Sequence, residues 1–97
     1  MFDLEQPWAL DARVALRPEP FGALAYHFGT RRLSFLKSAL LLRVVEALAD
    51  EPSALDACRR AGVPEAQMAE YERALATLAN TGMIRPRSRD AAVAGLE

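Results

Sequence analysis

The run RVALRPEPFGALAYHFGTRRLSFL, residues 13–36, constrains this chain more than any other segment. Side chains alternate between faces along a strand. Over 13–17, Val14 and Leu16 fall on one face and Arg13, Ala15 and Arg17 on the other. Pro18-Glu19-Pro20 then breaks the ladder, because neither proline has an N–H to donate. A second strand over 22–28 sets Leu24, Tyr26 and Phe28 against Ala23, Ala25 and His27. Gly29-Thr30 predicts a tight reversal with glycine at positive φ. A third strand over 31–36 follows, with Leu33 and Phe35 expected inward and Arg32 and Ser34 outward. Only helices are expected beyond it, so the outer edge of this third strand is left open as a template for another backbone.

Helix one is expected from 37 or 38 to 49, where Leu40, Leu41, Val44, Val45 and Leu48 make one broad apolar stripe. Ser53, with Asp56 three residues on, predicts the start of a short helix over 54–61, and Gly62 its left-handed stop. Pro64 opens a third helix running to Thr81, with Met68, Tyr71, Leu75 and Leu78 as its core stripe. Met83 and Ile84 are expected to pin its exit. The order predicts an α+β, winged helix-turn-helix-like domain: a three-stranded antiparallel sheet followed by three helices. Residues 1–12, with Trp8 and Leu10, read as a loosely ordered arm able to pack back onto the sheet. Residues 13–86 read as the domain proper, and 87–97 as a flexible tail.

The composition excludes several chemistries. At 97 residues and 52% apolar content the chain suits one small domain with a real core. No apolar run approaches the roughly 18–20 residues needed to span a bilayer. The start, MFDLEQPW, lacks a basic segment, so a cytosolic location is expected. Cys58 is the only cysteine, which excludes an internal disulfide and a thiolate-rich zinc site; it reads as core. His27 is the only histidine and reads as a strand residue at a surface or interface, with no triad partner for catalysis. The glycines are too scattered to cradle a phosphate. Neither an enzyme nor a bound cofactor or metal is expected.

Binding remains. The net charge of −1 gives little long-range pull on nucleic acid. A helix-turn-helix nevertheless raises a DNA-binding regulator as the alternative. Its recognition helix would begin PEAQMAEYER, with Glu65, Glu70 and Glu72 approaching phosphates against one Arg73. Peptide capture by strand addition is the second reading. Beside its core face, helix three carries the small stripe Ala69, Glu72, Ala76 and Ala79, and Arg31, Arg32 and Arg73 are suited to pair acids on a peptide. Equally, alanines raise helix propensity and arginines blunt edge aggregation. Pattern alone leaves both interpretations standing. The same edge can also pair two copies into a homodimer.

At these residues the chain becomes familiar. The segment WALDARVALRPEPFGALAYHFGTRRLSFLKS, above all VALRPEPFGAL and YHFGTRRLSFLKS, together with LANTGMIRPR, resembles the peptide chaperones of mycofactocin biosynthesis over roughly residues 7–87. More widely it is similar to the recognition elements of ribosomally made, modified peptides (RiPP recognition elements), including the pyrroloquinoline quinone peptide chaperone. The resemblance implies a protein that binds the leader of a precursor peptide and docks to a radical S-adenosylmethionine (radical SAM) maturase. That enzyme, not the chaperone, carries the cluster and modifies the precursor's C-terminal Val-Tyr end. In such elements the leader lies as a fourth strand between strand three and helix three. Here that implies contact with Arg31, Arg32, Leu33, Ser34, Phe35 and Leu36 on one side, and Glu72, Arg73, Leu75 and Ala76 on the other.

Overall fold

The computed structural model describes residues 2–87. Its elements in order are β1 (Trp8–Leu10), β2 (Val14–Glu19), β3 (Gly22–His27), β4 (Leu33–Leu36), α1 (Ala39–Ala47), α2 (Ala54–Ala61), α3 (Met68–Asn80) and β5 (Ile84–Pro86). It is an α+β fold. Strands β2, β3 and β4 form one antiparallel sheet in that order, and β1 pairs with β5 in a separate two-stranded sheet.

The expected three strands and three helices are present, with shifted ends. The third strand begins at Leu33 rather than Arg31, because the hairpin turn is longer than Gly29-Thr30. The His27 carbonyl accepts from the Arg31 N–H at 2.7 Å, and Arg31, not Gly29, takes the left-handed conformation at φ 62°. Ser38 caps α1 by accepting from the Leu41 N–H at 3.0 Å. A 3-10 turn, Leu48–Asp50, finishes that helix. Ser53 caps α2, its hydroxyl oxygen accepting from the Asp56 N–H at 3.1 Å, and Gly62 ends the helix at φ 97°. The third helix opens as a 3-10 turn over Glu65–Gln67 before α3 proper.

Two expectations about faces and termini are overturned. Leu33 and Phe35 point away from the core, 52% and 57% exposed, while Ser34 and Leu36 point toward it. The register is the cause. Ser34 stands opposite Ala25 and Leu36 opposite Ala23, and those small residues form the face on which the helices rest. Gly22 has no room for a side chain, since a Cβ there would meet the backbone of Leu36 in β4 and of the Ser38 cap. The segment expected to be a loose arm is instead held. Trp8 is 4% exposed, its Nε1–H donates to the Asp3 carbonyl at 2.8 Å, and its ring packs 4.8 Å from that of Phe2.

A strand does follow the helices, contrary to expectation, but β5 pairs with β1 and leaves β4 alone. Met83 and Ile84 are buried, as their place after α3 suggests. Arg87 reaches back across this small sheet, its Nε–H donating to the Trp8 carbonyl at 2.9 Å and its guanidinium also to the Glu51 carbonyl. The remainder of the expected tail, 88–97, lies outside the described residues. The core joins Leu36, Val44, Leu48, Cys58, Leu75 and Met83 between the helices and the two sheets. Burial raises the Cys58 thiol to about 11, so it is a packing residue and not a nucleophile.

Candidate functional site

The three-stranded sheet has two outer edges, and they differ in what their backbone offers. In an antiparallel pair, successive residues turn their N–H and C=O to opposite sides. The His27 N–H donates to the Arg32 carbonyl at 2.9 Å. With Ser34 opposite Ala25 and Leu36 opposite Ala23, this assigns the backbone groups of Ser34 and Leu36 to β3. Leu33 and Phe35 therefore turn theirs outward. Among the described residues no backbone group takes the N–H of either.

The other edge is spent. The Phe28 N–H donates to the Arg13 carbonyl at 2.8 Å, which by alternation turns Val14, Leu16 and Pro18 of β2 outward. The Val14 N–H is already donated to the Asp11 carbonyl at 2.9 Å. Pro18 has none to give. Of these three, only Leu16 has an N–H that no backbone group among the described residues takes.

A groove of about 450 Å³ lies along the open side of β4, between it and α3. Ser34, Phe35 and Lys37 form its strand side, and Leu41 and Tyr71 are part of its lining. The Tyr71 and Ser38 hydroxyls meet at 3.2 Å, tying α3 to the start of α1. Glu70, Ala74, Thr77 and Leu78 form the helix wall. Small side chains at Ala74 and Thr77 are what leave the groove wide.

The residues expected at the site are distributed unevenly. Ser34 and Phe35 line the groove and Leu33 offers its N–H to the same edge, while Leu36 is buried beneath it. Arg31 and Arg32 stand exposed at the hairpin tip. On α3, Leu75 is fully buried in the core. Glu72 and Ala76 are each two residues from Ala74, so they lie about 200° around the helix from the groove wall. Ala79 of the same stripe lines a different cavity, of about 540 Å³, beside β1 and β5. Arg73 is exposed and absent from the groove lining. Glu70, Ala74 and Thr77 were missed because an apolar stripe marks a core face without saying which flank turns to the sheet.

Behind the hairpin tip sits His27, buried rather than at a surface. Its Nδ1 accepts from the N–H groups of Gly29 and Thr30, both at 3.0 Å, so Nε2 carries the ring proton, 3.7 Å from Asp11 Oδ1. The Arg13 side chain, donating from Nε at 3.2 Å, and then the Arg13 N–H hold the Asp11 carboxyl at about 2, below its usual 3.8. The network fixes the turn that presents Arg31 and Arg32. Among the described residues no group of three histidine, cysteine or acidic side chains is placed to hold a metal, and no helix is long and apolar enough to cross a membrane.

Fold and site together define a small α+β domain with one unspent strand edge facing a groove. Residues 7–85 match the model of the peptide chaperone MftB family. The chain is 54% identical over 89 residues to the peptide chaperone MftB of Mycobacterium ulcerans (strain Agy99), covering 92% of this chain and 82% of that protein. It is 54% identical over 86 residues to that of Mycobacterium tuberculosis (strain ATCC 25618 / H37Rv), covering 89% and 79%, and 52% identical over 85 residues to that of Mycolicibacterium smegmatis (strain ATCC 700084 / mc(2)155), covering 88% and 83%. The chain belongs to the peptide chaperone MftB family, a family of chaperones and not of enzymes. No solved structure matches it.

Proposed function

We propose that this chain binds the leader of the mycofactocin precursor peptide as a strand added to β4 and, in the cytosol, presents the precursor to a radical SAM maturase. The domain acts as a winged helix-turn-helix variant in which the groove beside the wing takes peptide in place of DNA. The observation that carries this reading is the pair of outward N–H groups at Leu33 and Phe35, facing a groove walled by Ala74 and Thr77.

An extended leader entering this groove pairs with Leu33 and Phe35 through its backbone. Its alternate side chains turn toward Leu41, Tyr71 and Leu78, which favours apolar residues at every second position. Each new backbone bond adds about 0.5–1.5 kcal/mol net. The cost of ordering a flexible leader offsets part of this. Arg31 and Arg32 add charge pairing to acids at one end of the strand. The chaperone performs no chemistry. By holding the leader it keeps the precursor's reactive end at high effective concentration near the maturase.

The test is calorimetric titration of the chain with the precursor's leader segment, followed by maturase turnover with and without the chain. Saturable one-to-one binding and chain-dependent turnover are expected. A leader that does not bind the folded chain would refute the proposal.

A further inference from the structure

The face of the sheet turned away from the helices carries an apolar strip of which only Phe35 also lines the leader groove. Phe21, Phe28, Leu33 and Phe35 are 46%, 64%, 52% and 57% exposed. Phe21 and Phe35 pack with ring centroids 6.1 Å apart, and Tyr26 meets Phe28 edge-on at 5.0 Å. By register Leu33 stands opposite Tyr26 and Phe35 opposite Leu24, so the two aromatic pairs join into one strip running along the strands. An isolated exposed phenylalanine needs no explanation; four large apolar side chains on one face of a three-stranded sheet do.

Charge and area select what covers it. Arg13 is paired to Asp11 and Arg17 to Glu19. At the hairpin tip, Arg31 and Arg32 have no carboxylate within 4.0 Å among the described residues. The rim is therefore net positive. A second copy laid face to face would set apolar strip on apolar strip but bring like charges together. The three phenylalanines expose roughly 300–400 Å² if each ring presents about 200 Å² when free. That is near half of the ~800 Å² per partner that a stable interface requires. A larger partner that engages the strip together with its charged rim meets the requirement.

We propose that this outward sheet face is the docking surface for the enzyme that modifies the bound peptide, and that it meets an apolar patch edged by carboxylates on that enzyme. The choice of partner rests on the function proposed above; the surface itself does not. A leader strand added to β4 widens the same face by one strand, so peptide and enzyme bind side by side without competing. Peptide occupancy then extends the docking surface, and the enzyme meets loaded chaperone in preference to empty.

The experiment uses the full chain, the purified maturase and the leader segment, with Phe21→Ser and Phe28→Ser combined in one variant. Both side chains are exposed and neither lines the groove. Maturase affinity is expected to fall at least tenfold while leader affinity stays within twofold and the thermal melt is retained. Phe28→Glu is expected to weaken docking more than Phe28→Lys, since a carboxylate there faces carboxylates. Unchanged maturase affinity in the double variant overturns the proposal. So does a wild-type dimer in sedimentation that the double variant dissolves, which would give the face to a second copy. Leader binding intact with no maturase binding by the wild type sinks the docking proposal alone, whereas loss of leader binding by the wild type sinks the function on which it rests.

Discussion

Strands β2 and β4 border the same sheet and pair with the same central strand, yet only one of them is an invitation. On β2, Asp11 takes the Val14 N–H and Pro18 has none. On β4, Leu33 and Phe35 keep theirs, and α3 stands far enough away to leave a groove. Edge position alone does not make a strand receptive. Receptivity is decided bond by bond, by which donors local structure has already used and by whether a neighbouring element leaves room.

The largest effect that sharpens this contrast comes from moving proline. Leu33→Pro or Phe35→Pro is expected to lower leader affinity by about tenfold or more, roughly 1.4 kcal/mol, with circular dichroism unchanged. An edge strand tolerates proline where the N–H faces outward. Leu16→Pro on the opposite edge is expected to leave calorimetric affinity within about twofold, and a loss there comparable to that at Leu33 would reverse the assignment of edges.

Next comes the helix wall. Ala74→Trp fills the groove and is expected to cost nearly tenfold in leader affinity. Glu72→Trp, about 200° around α3, is expected to change little. Equal losses would mean that the peptide contacts the far face of the helix.

A smaller effect is expected from charge. Reversing Arg31 and Arg32 to Glu should weaken an acidic leader a few-fold, with the difference fading as salt rises, because exposed charges are screened over about 8–10 Å at ordinary ionic strength. Binding of the wild type that ignores salt would remove this contribution.

The smallest effect concerns the spent edge. Because the Asp11 carboxyl is held at about 2, below 3.8, it adds stability at neutral pH. That contribution is complete above about pH 4 and is lost as pH falls through 2. Asp11→Asn is expected to lower the melting temperature slightly at pH 7, with the gap to wild type closing as pH falls from 4 to 2. A gap independent of pH would show that the carboxylate charge plays no part.

Much of this comparison was legible in the sequence, and its limits are instructive. Ser53 and Gly62 announce their helix ends, and period-two alternation correctly grouped Leu33 with Phe35 and Ala23 with Ala25; Pro18, expected to end its strand, instead sits inside β2 with its N–H-less backbone turned outward, where no ladder bond is lost. Alternation gives parity but not sign. Leu33 and Phe35 are the more apolar pair, yet it is the small Ala23 and Ala25 that are buried against the helices. Strands β1 and β5 are three residues each, too short for any period to register. Their apolar residues, Trp8 and Leu10 in one and Ile84 in the other, were visible, but not as strands. The groove wall at Ala74 and Thr77 was hidden for a related reason, since a helix's sequence fixes its faces but not its neighbours.

Amide hydrogen exchange followed by NMR, with and without saturating leader, reads the two edges at once. Leader binding should protect the Leu33 and Phe35 amides strongly and leave Leu16 exchanging as before. Protection appearing at Leu16, or Leu33 and Phe35 exchanging unchanged in the saturated complex, would contradict strand addition at β4.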